Sequence, residues 1–336
     1  MWAGRGTTGP RRRRKKFPTM HMNAAILAAG LGTRLRPLTY QRPKVLAPIL
    51  NRPLLGILLA QLRQAGAMQV AMNTHHLPEQ VQRFLEHEVP PGLKVRLSHE
   101  PQILGTGGGM RGLARLLGEG PFLAVNGDIL TDLDLAEIFA RHRPEALATL
   151  VLQDCEPFNN VWTDGRGRVA GIGQAGATGV GNPLAYTGVQ VVGPGLLDFL
   201  PESGPADLVA AWRQALAAGS RLDALVVPGR FWQEVGSPEA YLAAHRRLMA
   251  GEGGSLRGLF PRIADPLVGA GSRLASGVVC AGGVCLGRNV QVGRDARLEN
   301  CVVWDQAVIE PGVALQNCVV AAGARVGRSA REAVLT

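Results

Sequence analysis

The chain has 336 residues, of which 46% are apolar and 18% are charged. Because domains of about 150 residues are common, this length predicts two domains. The low charged fraction excludes a mostly disordered chain, and no run approaches the ~18 uninterrupted apolar residues of a transmembrane helix. We therefore expect a globular protein without a membrane partner.

The formal net charge is +10, but the basic excess is concentrated at the amino terminus. Residues 1–21 hold seven arginines and lysines and no acid, which leaves only +3 on the rest of the chain. We interpret this segment as a solvated, disordered tail and expect no specific nucleic-acid partner; a nucleic-acid binder acting through the tail is a minor alternative. No apolar stretch follows the arginines, so the tail is not a secretory signal.

The five cysteines are odd in number, and no two have CxxC spacing. This pattern argues against both a disulfide framework and a structural zinc site. It favours a reducing, cytoplasmic setting.

Short apolar runs alternate with segments of helical spacing between residues 23 and 249. The predicted strands are 23–29, 69–73, 94–98 and 121–125, and the predicted helices are 54–65, 79–87 and 110–117. This alternation is the signature of a mostly parallel sheet with helices on both faces. We therefore predict an α/β, Rossmann-like domain over residues 22–250, with its ligand beyond the carboxyl ends of the strands.

A glycine-rich linker is predicted at 251–261, and the period beyond it becomes six residues. The main apolar series comprises Leu274, Cys280, Leu286, Val292 and Leu298, then, after slips of one residue, Val303, Ile309, Leu315, Val320 and Val326. A second series comprises Val284, Val290, Ala296, Val302 and Val308. This period predicts a three-sided, left-handed parallel β-helix over residues 262–331.

The β-helix contains four of the cysteines, which we interpret as small residues in or near its core. His245 is the last histidine of the chain, so the β-helix has no histidine to act as a base. We expect this unit to assemble a homo-oligomer or to serve regulation, rather than to form a second active site.

The segment after the first strand has the features of a polyphosphate site. Gly30 and Gly32 allow the backbone to approach an anion and direct N–H groups at it, while Arg34 and Lys44 add positive charge. The segment is not a Walker loop, and Leu35 stands where the dinucleotide fingerprint requires its third glycine.

Lysine usage singles out Lys44. The chain has 32 arginines and four lysines, and two of the lysines lie in the basic tail. Lysine is a compact charge on a flexible stem, which suits a single phosphate oxygen in a narrow pocket. We interpret Lys94, the other remaining lysine, as a surface residue.

Several motifs together resemble those of the nucleoside-diphosphate-sugar pyrophosphorylases, or sugar-1-phosphate nucleotidyltransferases. They are Gly30-Leu31-Gly32-Thr33-Arg34-Leu35, Pro37-Leu38-Thr39, Pro43-Lys44, Glu100-Pro101, Leu104-Gly105-Thr106-Gly107-Gly108-Gly109, Asn126-Gly127-Asp128, Tyr186-Thr187-Gly188 and Trp232-Gln233-Glu234-Val235-Gly236-Ser237. The resemblance covers roughly residues 22–249. The catalytic part is most similar to N-acetylmuramate-1-phosphate uridylyltransferases, and the appended β-helix is more similar to that of mannose-1-phosphate guanylyltransferases.

The resemblance implies that a nucleoside triphosphate and a sugar 1-phosphate are the substrates. It places Arg34 on the phosphates and Lys44 at the reacting centre, with Gly107 and Gly108 against the base and ribose, where a side chain would clash. The implied nucleotide-binding residues are Leu27, Ala28, Ala29, Gly30, Leu31, Gly32, Thr33, Glu100, Thr106, Gly107, Gly108 and Asn126.

The resemblance also implies a Mg²⁺ ion held by Asp128 and Glu234. Glu234 is a departure, because the family usually has aspartate there. The implied sugar-binding residues are Asn160, Thr187, Gly188 and Trp232, although a polar turn at Asn160 and plain packing of Trp232 are equally good interpretations. The family's usual Glu-Lys-Pro segment is absent between Asp154 and Tyr186.

The expected reaction is in-line attack of the sugar-phosphate oxygen on the α-phosphorus, with pyrophosphate leaving. Arg34, Lys44 and Asp128 are the expected catalytic residues, since two anions must meet in a cationic site. The alternative is a non-catalytic regulatory subunit that binds nucleotide sugars and assembles through the β-helix. Glu234 and the missing lysine segment motivate that alternative.

Overall fold

The computed structural model describes residues 22–173, 179 and 181–336, so the predicted tail at 1–21 lies outside the described residues. Over the described residues, the first unit has thirteen strands: β1 (Met22–Leu27), β2 (Pro48–Ile49), β3 (Arg52–Pro53), β4 (Ala67–Thr74), β5 (Lys94–His99), β6 (Phe122–Asn126), β7 (Ile129–Thr131), β8 (Ala148–Gln153), β9 (Val161–Thr163), β10 (Val169–Ile172), β11 (Ala185–Val192), β12 (Leu222–Val226) and β13 (Trp232–Glu234). Its helices are α1 (Leu38–Gln41), α2 (Leu54–Gln64), α3 (Pro78–Glu88), α4 (Gly105–Leu117), α5 (Leu135–Ala140), α6 (Leu208–Ala217) and α7 (Pro238–Met249). No helix within the described ranges is long and apolar enough to cross a membrane.

Seven strands form the central sheet in the order β12-β8-β11-β6-β1-β4-β5. Strand β11 is antiparallel to both of its neighbours, and the other pairings are parallel. The predicted mostly parallel α/β fold is therefore confirmed. Because β1 lies between β4 and β6, the segments that follow these three strands meet at one edge of the sheet.

Strand β1 is buried on both faces, which explains its continuous apolar sequence. Ala24 and Ile26 contribute to the core that α2 covers, whereas Ala25 contributes to the core that α4 covers. The alternation of strand side chains thus produces two apolar layers, one on each face of the sheet.

Helix α4 begins at Gly105 and not at residue 110, where the apolar periodicity starts. Two backbone groups near its start are satisfied by other segments: Leu104 N–H donates to Glu100 Oε2 over 2.9 Å, and Gly107 N–H donates to the Ala206 carbonyl over 2.8 Å. The glycine run is therefore the first turn of a helix.

The second unit is the predicted three-sided β-helix, built from strands of two or three residues. They are β14 (Leu267–Val268), β15 (Arg273–Leu274), β16 (Val279–Ala281), β17 (Cys285–Leu286), β18 (Gln291–Val292), β19 (Arg297–Glu299), β20 (Val302–Val303), β21 (Val308–Ile309), β22 (Ala314–Gln316), β23 (Val319–Val320), β24 (Arg325–Val326), β25 (Ala330–Arg331) and β26 (Val334–Leu335). They form three parallel sheets, in the orders β14-β17-β20-β23-β26, β15-β18-β21-β24 and β16-β19-β22-β25.

The second predicted apolar series is wrong beyond Ala296. Cys301 and Ala307 face the β-helix core, whereas Val302 packs towards the first unit and Val308 is only half-buried. The reason is a shorter coil: Leu267 pairs with Cys285, eighteen residues on, but Cys285 pairs with Val302, seventeen residues on. The interpretation of the coil cysteines as core or near-core residues agrees with their burial or half-burial.

The predicted linker is ordered and packed. Residues Gly254–Leu259 form a 3₁₀-helix whose Leu256 and Leu259 are buried. Val302 and Trp304 of the β-helix belong to the same apolar core as Tyr241 of α7. The two units therefore share one apolar core and are packed against each other.

Candidate functional site

The turn after β1 requires glycine at position 32. Gly32 has a φ of +62°, and a Cβ there would lie 2.8 Å from Cγ2 of Thr39. The Thr39 hydroxyl donates to the Gly32 carbonyl over 2.9 Å, which fixes the turn. Gly30 and Thr33 are exposed on it. The predicted phosphate loop is thus a tight turn with an accessible backbone.

Lys44 and Asp128 form an ion pair beside this turn. Lys44 begins a short 3₁₀-helix. The two residues that follow it, Val45 and Leu46, are buried and anchor its backbone in the core. Its Nζ donates to Asp128 Oδ2 over 2.6 Å, and the lysine side chain is only 12% exposed. A largely buried ammonium group needs an anionic partner, and Asp128 supplies it.

A second ion pair joins Arg34 to Glu234. Strand β13 pairs with β7 so that Glu234 lies opposite Ile129, and Val235 N–H donates to the Asp128 carbonyl over 2.8 Å. Arg34 Nη2 donates to Glu234 Oε1. A Cβ at Gly236 would lie 2.5 Å from that oxygen, so a larger residue there would displace the side chains of the pair.

Asp128 and Glu234 are the carboxylates that could hold a divalent cation. Both keep some exposure, 26% and 18%, and carboxylate oxygens are ligands that Mg²⁺ prefers. Within the described ranges, no group of three or more histidine, cysteine or acidic side chains is arranged for a metal. The protein would therefore supply two ligands and leave the rest to phosphate and water, a common arrangement for Mg²⁺. The donor set fits this ion.

Asn73 is a site residue that the sequence analysis missed. Its Oδ1 accepts from Ala28 N–H over 2.6 Å, and its Nδ2 donates to Glu100 Oε1 over 2.7 Å. Asn73 is 3% exposed and lies near the end of β4. It therefore ties the start of the phosphate turn to the segment that precedes α4. A polar residue near the end of an apolar strand was the available signal.

The structure revises the role predicted for the carboxylate of Glu100. Its Oε1 accepts from Asn73 and its Oε2 from Leu104 N–H, and the residue is 2% exposed. Both oxygens are turned into the protein. Glu100 thus stabilises the site through hydrogen bonds to Asn73 and Leu104, and its carboxylate does not face a ligand.

The structure also corrects the reason given for the glycines of α4. A Cβ at Gly107 would lie 2.7 Å from Cδ2 of Leu200, and one at Gly108 would lie 2.8 Å from the Gly204 carbonyl oxygen. The Thr106 hydroxyl accepts from Leu208 N–H over 3.1 Å. The chain itself therefore occupies the space that the prediction gave to a base and ribose.

The predicted sugar-binding residues fall into two groups. The Thr187 hydroxyl is buried and donates to the Val151 carbonyl over 2.9 Å, so it faces the sheet and not a ligand. Trp232 Nε1 donates to the Thr187 carbonyl over 2.7 Å, and its ring meets Phe158 edge-to-face at 5.7 Å. Asn160 is exposed. Asn160 is thus accessible and Trp232 half-buried, whereas the hydroxyl of Thr187 is engaged within the protein.

Gly188 and Asn126 lie on neighbouring strands at the same edge. Gly188 has a φ of +79°, and a Cβ there would lie 3.1 Å from Asn126 Nδ2. Glycine at this position leaves room for the side chains of Asn126 and Ile129. The structure thus brings the phosphate turn, both ion pairs, Asn126 and Gly188 to the edge of the sheet where the parallel strands end.

Comparisons with known proteins identify the family of the chain. The sequence profile of the family described as "Nucleotidyl transferase" matches residues 23–251. The chain is 30% identical over 324 residues to a protein named probable mannose-1-phosphate guanylyltransferase 1 from Oryza sativa subsp. japonica, covering 92% of this chain and 84% of that one. It is 28% identical over 340 residues to a UTP–glucose-1-phosphate uridylyltransferase from Synechocystis, covering 89% and 87%.

Among solved structures, a UDP-glucose pyrophosphorylase complexed with UDP-glucose matches with a TM-score of 0.57 and 19% identity. The match covers 67% of this chain and 97% of that one, which supports the fold of the first unit. The match to the family profile spans the whole sheet and every residue of the two ion pairs. The chain belongs to the nucleotidyl transferase family and is an enzyme of that family.

Proposed function

We propose that this enzyme joins a sugar 1-phosphate to a nucleoside triphosphate, giving a nucleoside-diphosphate sugar and pyrophosphate. The observation that carries the proposal is the pair of ion pairs, Lys44–Asp128 and Arg34–Glu234, beside the glycine turn. Two cations and two carboxylates at one sheet edge suit the meeting of two phosphates and a divalent metal.

In the proposed reaction, an oxygen of the sugar phosphate forms a bond to the α-phosphorus of the triphosphate. The bond from that phosphorus to the bridging oxygen breaks, and pyrophosphate leaves with the electron pair. Lys44 holds the phosphate at the reacting centre, and Arg34 holds the outer phosphates. Asp128 and Glu234 would hold Mg²⁺, which when bound supplies neutralisation of the phosphate charge.

For this role the ammonium of Lys44 moves from Asp128 to a phosphate oxygen. Its ammonium is already held by an anion in a partly buried place. When a phosphate enters, a phosphate oxygen takes over part of the coordination that Asp128 gives to Nζ, and Asp128 becomes free to bind a metal. The negative charge that the phosphate adds would be offset by Mg²⁺ when it is bound.

We propose no single base or sugar. The relatives named above are a guanylyltransferase and a uridylyltransferase, and the glycines near the expected base site are explained by packing. Mannose 1-phosphate with GTP and glucose 1-phosphate with UTP are therefore the first pairs to test, and a UDP-amino-sugar product is the third. We further propose a cytoplasmic homo-oligomer, since all five cysteines are free and the β-helix strands β18 and β19 carry exposed side chains at Gln291 and Arg297.

The test is a matrix of triphosphates against sugar 1-phosphates with Mg²⁺, read as pyrophosphate release. The proposal predicts saturable release with at least one pair, abolished by EDTA and greatly reduced in Lys44→Ala. Absence of release across the matrix, with tight binding of nucleotide sugars, would instead favour the regulatory subunit. In that case a Glu234→Asp variant that gains activity would identify the longer carboxylate as the cause.

A further inference from the structure

The interface between the β-helix and the first unit contains a polar network centred on Trp304. Trp304 Nε1 donates to the Tyr241 hydroxyl oxygen over 3.0 Å, and the Tyr241 hydroxyl donates in turn to the Pro48 carbonyl. The guanidinium carbon of Arg42 lies 4.9 Å from the centre of the indole ring. We call Arg42, Pro48, Tyr241 and Trp304 the interface clamp.

The interface clamp contacts the segment that carries Lys44 and the helix that follows Glu234. Arg42 and Pro48 flank Lys44 and its 3₁₀-helix on either side. Tyr241 lies in the first turn of α7, the helix that follows Glu234 and Gly236. One indole ring therefore contacts the segment that carries Lys44 directly, through Arg42, and indirectly, through Tyr241 and Pro48.

Burial makes these contacts specific. Tyr241 is 0% and Trp304 is 2% exposed, so neither polar group can take water instead. A buried hydroxyl or indole N–H that loses its partner destabilises the arrangement and favours a different one. Arg42 has no carboxylate within salt-bridge distance among the described residues, so the indole face is the principal group that orients its guanidinium.

A second contact supports the same segment. His245, one turn beyond Tyr241, accepts from Leu50 N–H through Nε2 over 3.2 Å. Residues 42–50 are thus attached to α7 at two points, and the β-helix closes the network from outside. Burial of apolar residues alone would not require this alignment of donors and acceptors.

We infer that Trp304 of the β-helix is a positioning residue for the active site, which holds the Arg42–Leu50 segment so that Lys44 meets the reacting phosphate. This inference rests on the proposed function, since it assigns to Trp304 an effect on the step that Lys44 supports. It also changes the role of the β-helix, which becomes part of the catalytic framework as well as an assembly surface.

The test compares Trp304→Leu and Trp304→Phe with Val319→Ala, all in the full-length chain. Val319 is buried in the same apolar core, one coil further on, and lies outside the interface clamp. Displacement of a catalytic group by about 1 Å can cost ~100-fold in rate. We expect Trp304→Leu to lower kcat by about tenfold or more with a smaller change in KM. Trp304→Phe, which keeps a ring under Arg42, should lose about threefold, and Val319→Ala should keep the parental kcat.

A double-mutant cycle with Lys44→Ala separates positioning from general destabilisation. If Trp304 acts through Lys44, Trp304→Leu will produce little further loss of kcat in the Lys44→Ala background. An equal loss in both backgrounds would overturn the inference, as would parental kcat in a folded Trp304→Leu enzyme. Should Trp304→Leu fail to fold, or Lys44→Ala be too slow to measure, Trp304→Phe against Val319→Ala decides: equal kcat values contradict positioning. An inactive parental enzyme would refute the proposed function itself, which is a different result.

Discussion

Replacing Lys44 by alanine removes the least exposed cation of the site. The side chain is 12% exposed, and Nζ lies 2.6 Å from Asp128 Oδ2. Two unit charges about 4 Å apart attract by about 4 kcal/mol at the effective dielectric constant of ~20 that suits protein sites. Lys44 gives up part of its contact with Asp128 when it binds the phosphate, and this loss offsets part of the attraction. A net stabilisation of the transition state by about 3 kcal/mol remains. Since 1.36 kcal/mol corresponds to tenfold, we expect kcat to fall by about 100-fold.

Exposure provides an internal comparison. Arg34 is 61% exposed, so solvent screens its charge and Arg34→Ala should cost less than tenfold. Lys94→Ala is the matched control, because Lys94 is an exposed lysine at the start of β5. Initial rates of pyrophosphate release at saturating substrates measure all three variants. A Lys44→Ala enzyme within threefold of the parental kcat, or an Arg34→Ala enzyme that is more impaired, would refute the electrostatic reasoning.

Three further variants test other parts of the site and its support. Glu234→Gln should raise the Mg²⁺ concentration for half-maximal rate by about tenfold or more. The control Glu252→Gln, which alters the ion pair with Arg247, should leave that concentration unchanged. Equal Mg²⁺ titrations of the two variants would contradict the metal assignment. Asn73→Ala leaves Ala28 N–H and Glu100 Oε1 without their hydrogen-bond partner, so the free energy of unfolding, measured in urea, should fall by about 3 kcal/mol. The control Asn23→Ala removes one hydrogen bond of a half-buried residue and should cost about 1 kcal/mol. Similar losses for the two variants would contradict a special structural role of Asn73. Burial lowers the pKa of His245 to about 4, so the folded state takes up a proton less readily than the unfolded state. The free energy of unfolding should therefore fall by about 3 kcal/mol as the pH is lowered from 6.5 to 4. His245→Gln should flatten this pH dependence, and an unchanged profile would show that another group causes it.

The elements best predicted from the sequence are those whose burial follows a simple period. Strand β1 and helix α2 have continuous or helical apolar patterns, and both lie where the sequence places them. The six-residue period predicted the β-helix for the same reason. The phase of its second series was lost between Ala296 and Cys301, because the interval there is five residues and not six, so each later residue of the predicted series is displaced by one position.

The parts that escaped prediction depend on contacts between distant segments. The start of α4 follows from Glu100 and from the Ala206 carbonyl, and glycines carry no periodicity from which to recognise a helix. The hydroxyl of Thr187 faces the sheet because Val151 lies behind it. Asn73 and the interface clamp join residues separated by up to 262 positions in the chain, as Arg42 and Trp304 are. No local pattern encodes such partners.

The site itself was anticipated more fully than its support. Arg34 and Lys44 were singled out from their charge beside the glycine turn, and Asp128 and Glu234 from the resemblance to the family. The structure brings the four residues into two ion pairs. Their pairing partners were not foreseen, since each residue was predicted to contact a ligand and not another residue. Before substrate enters, cations and carboxylates at such a site neutralise one another.

A crystal structure with Mg²⁺ and a non-hydrolysable nucleoside triphosphate would examine the arrangement most directly. We predict that the phosphates lie along residues 30–33, with Lys44 moved from Asp128 to a phosphate oxygen and the metal touching Asp128 and Glu234. Phosphates bound on another face of the molecule, with both ion pairs undisturbed, would contradict the assignment of this sheet edge as the place of nucleotidyl transfer.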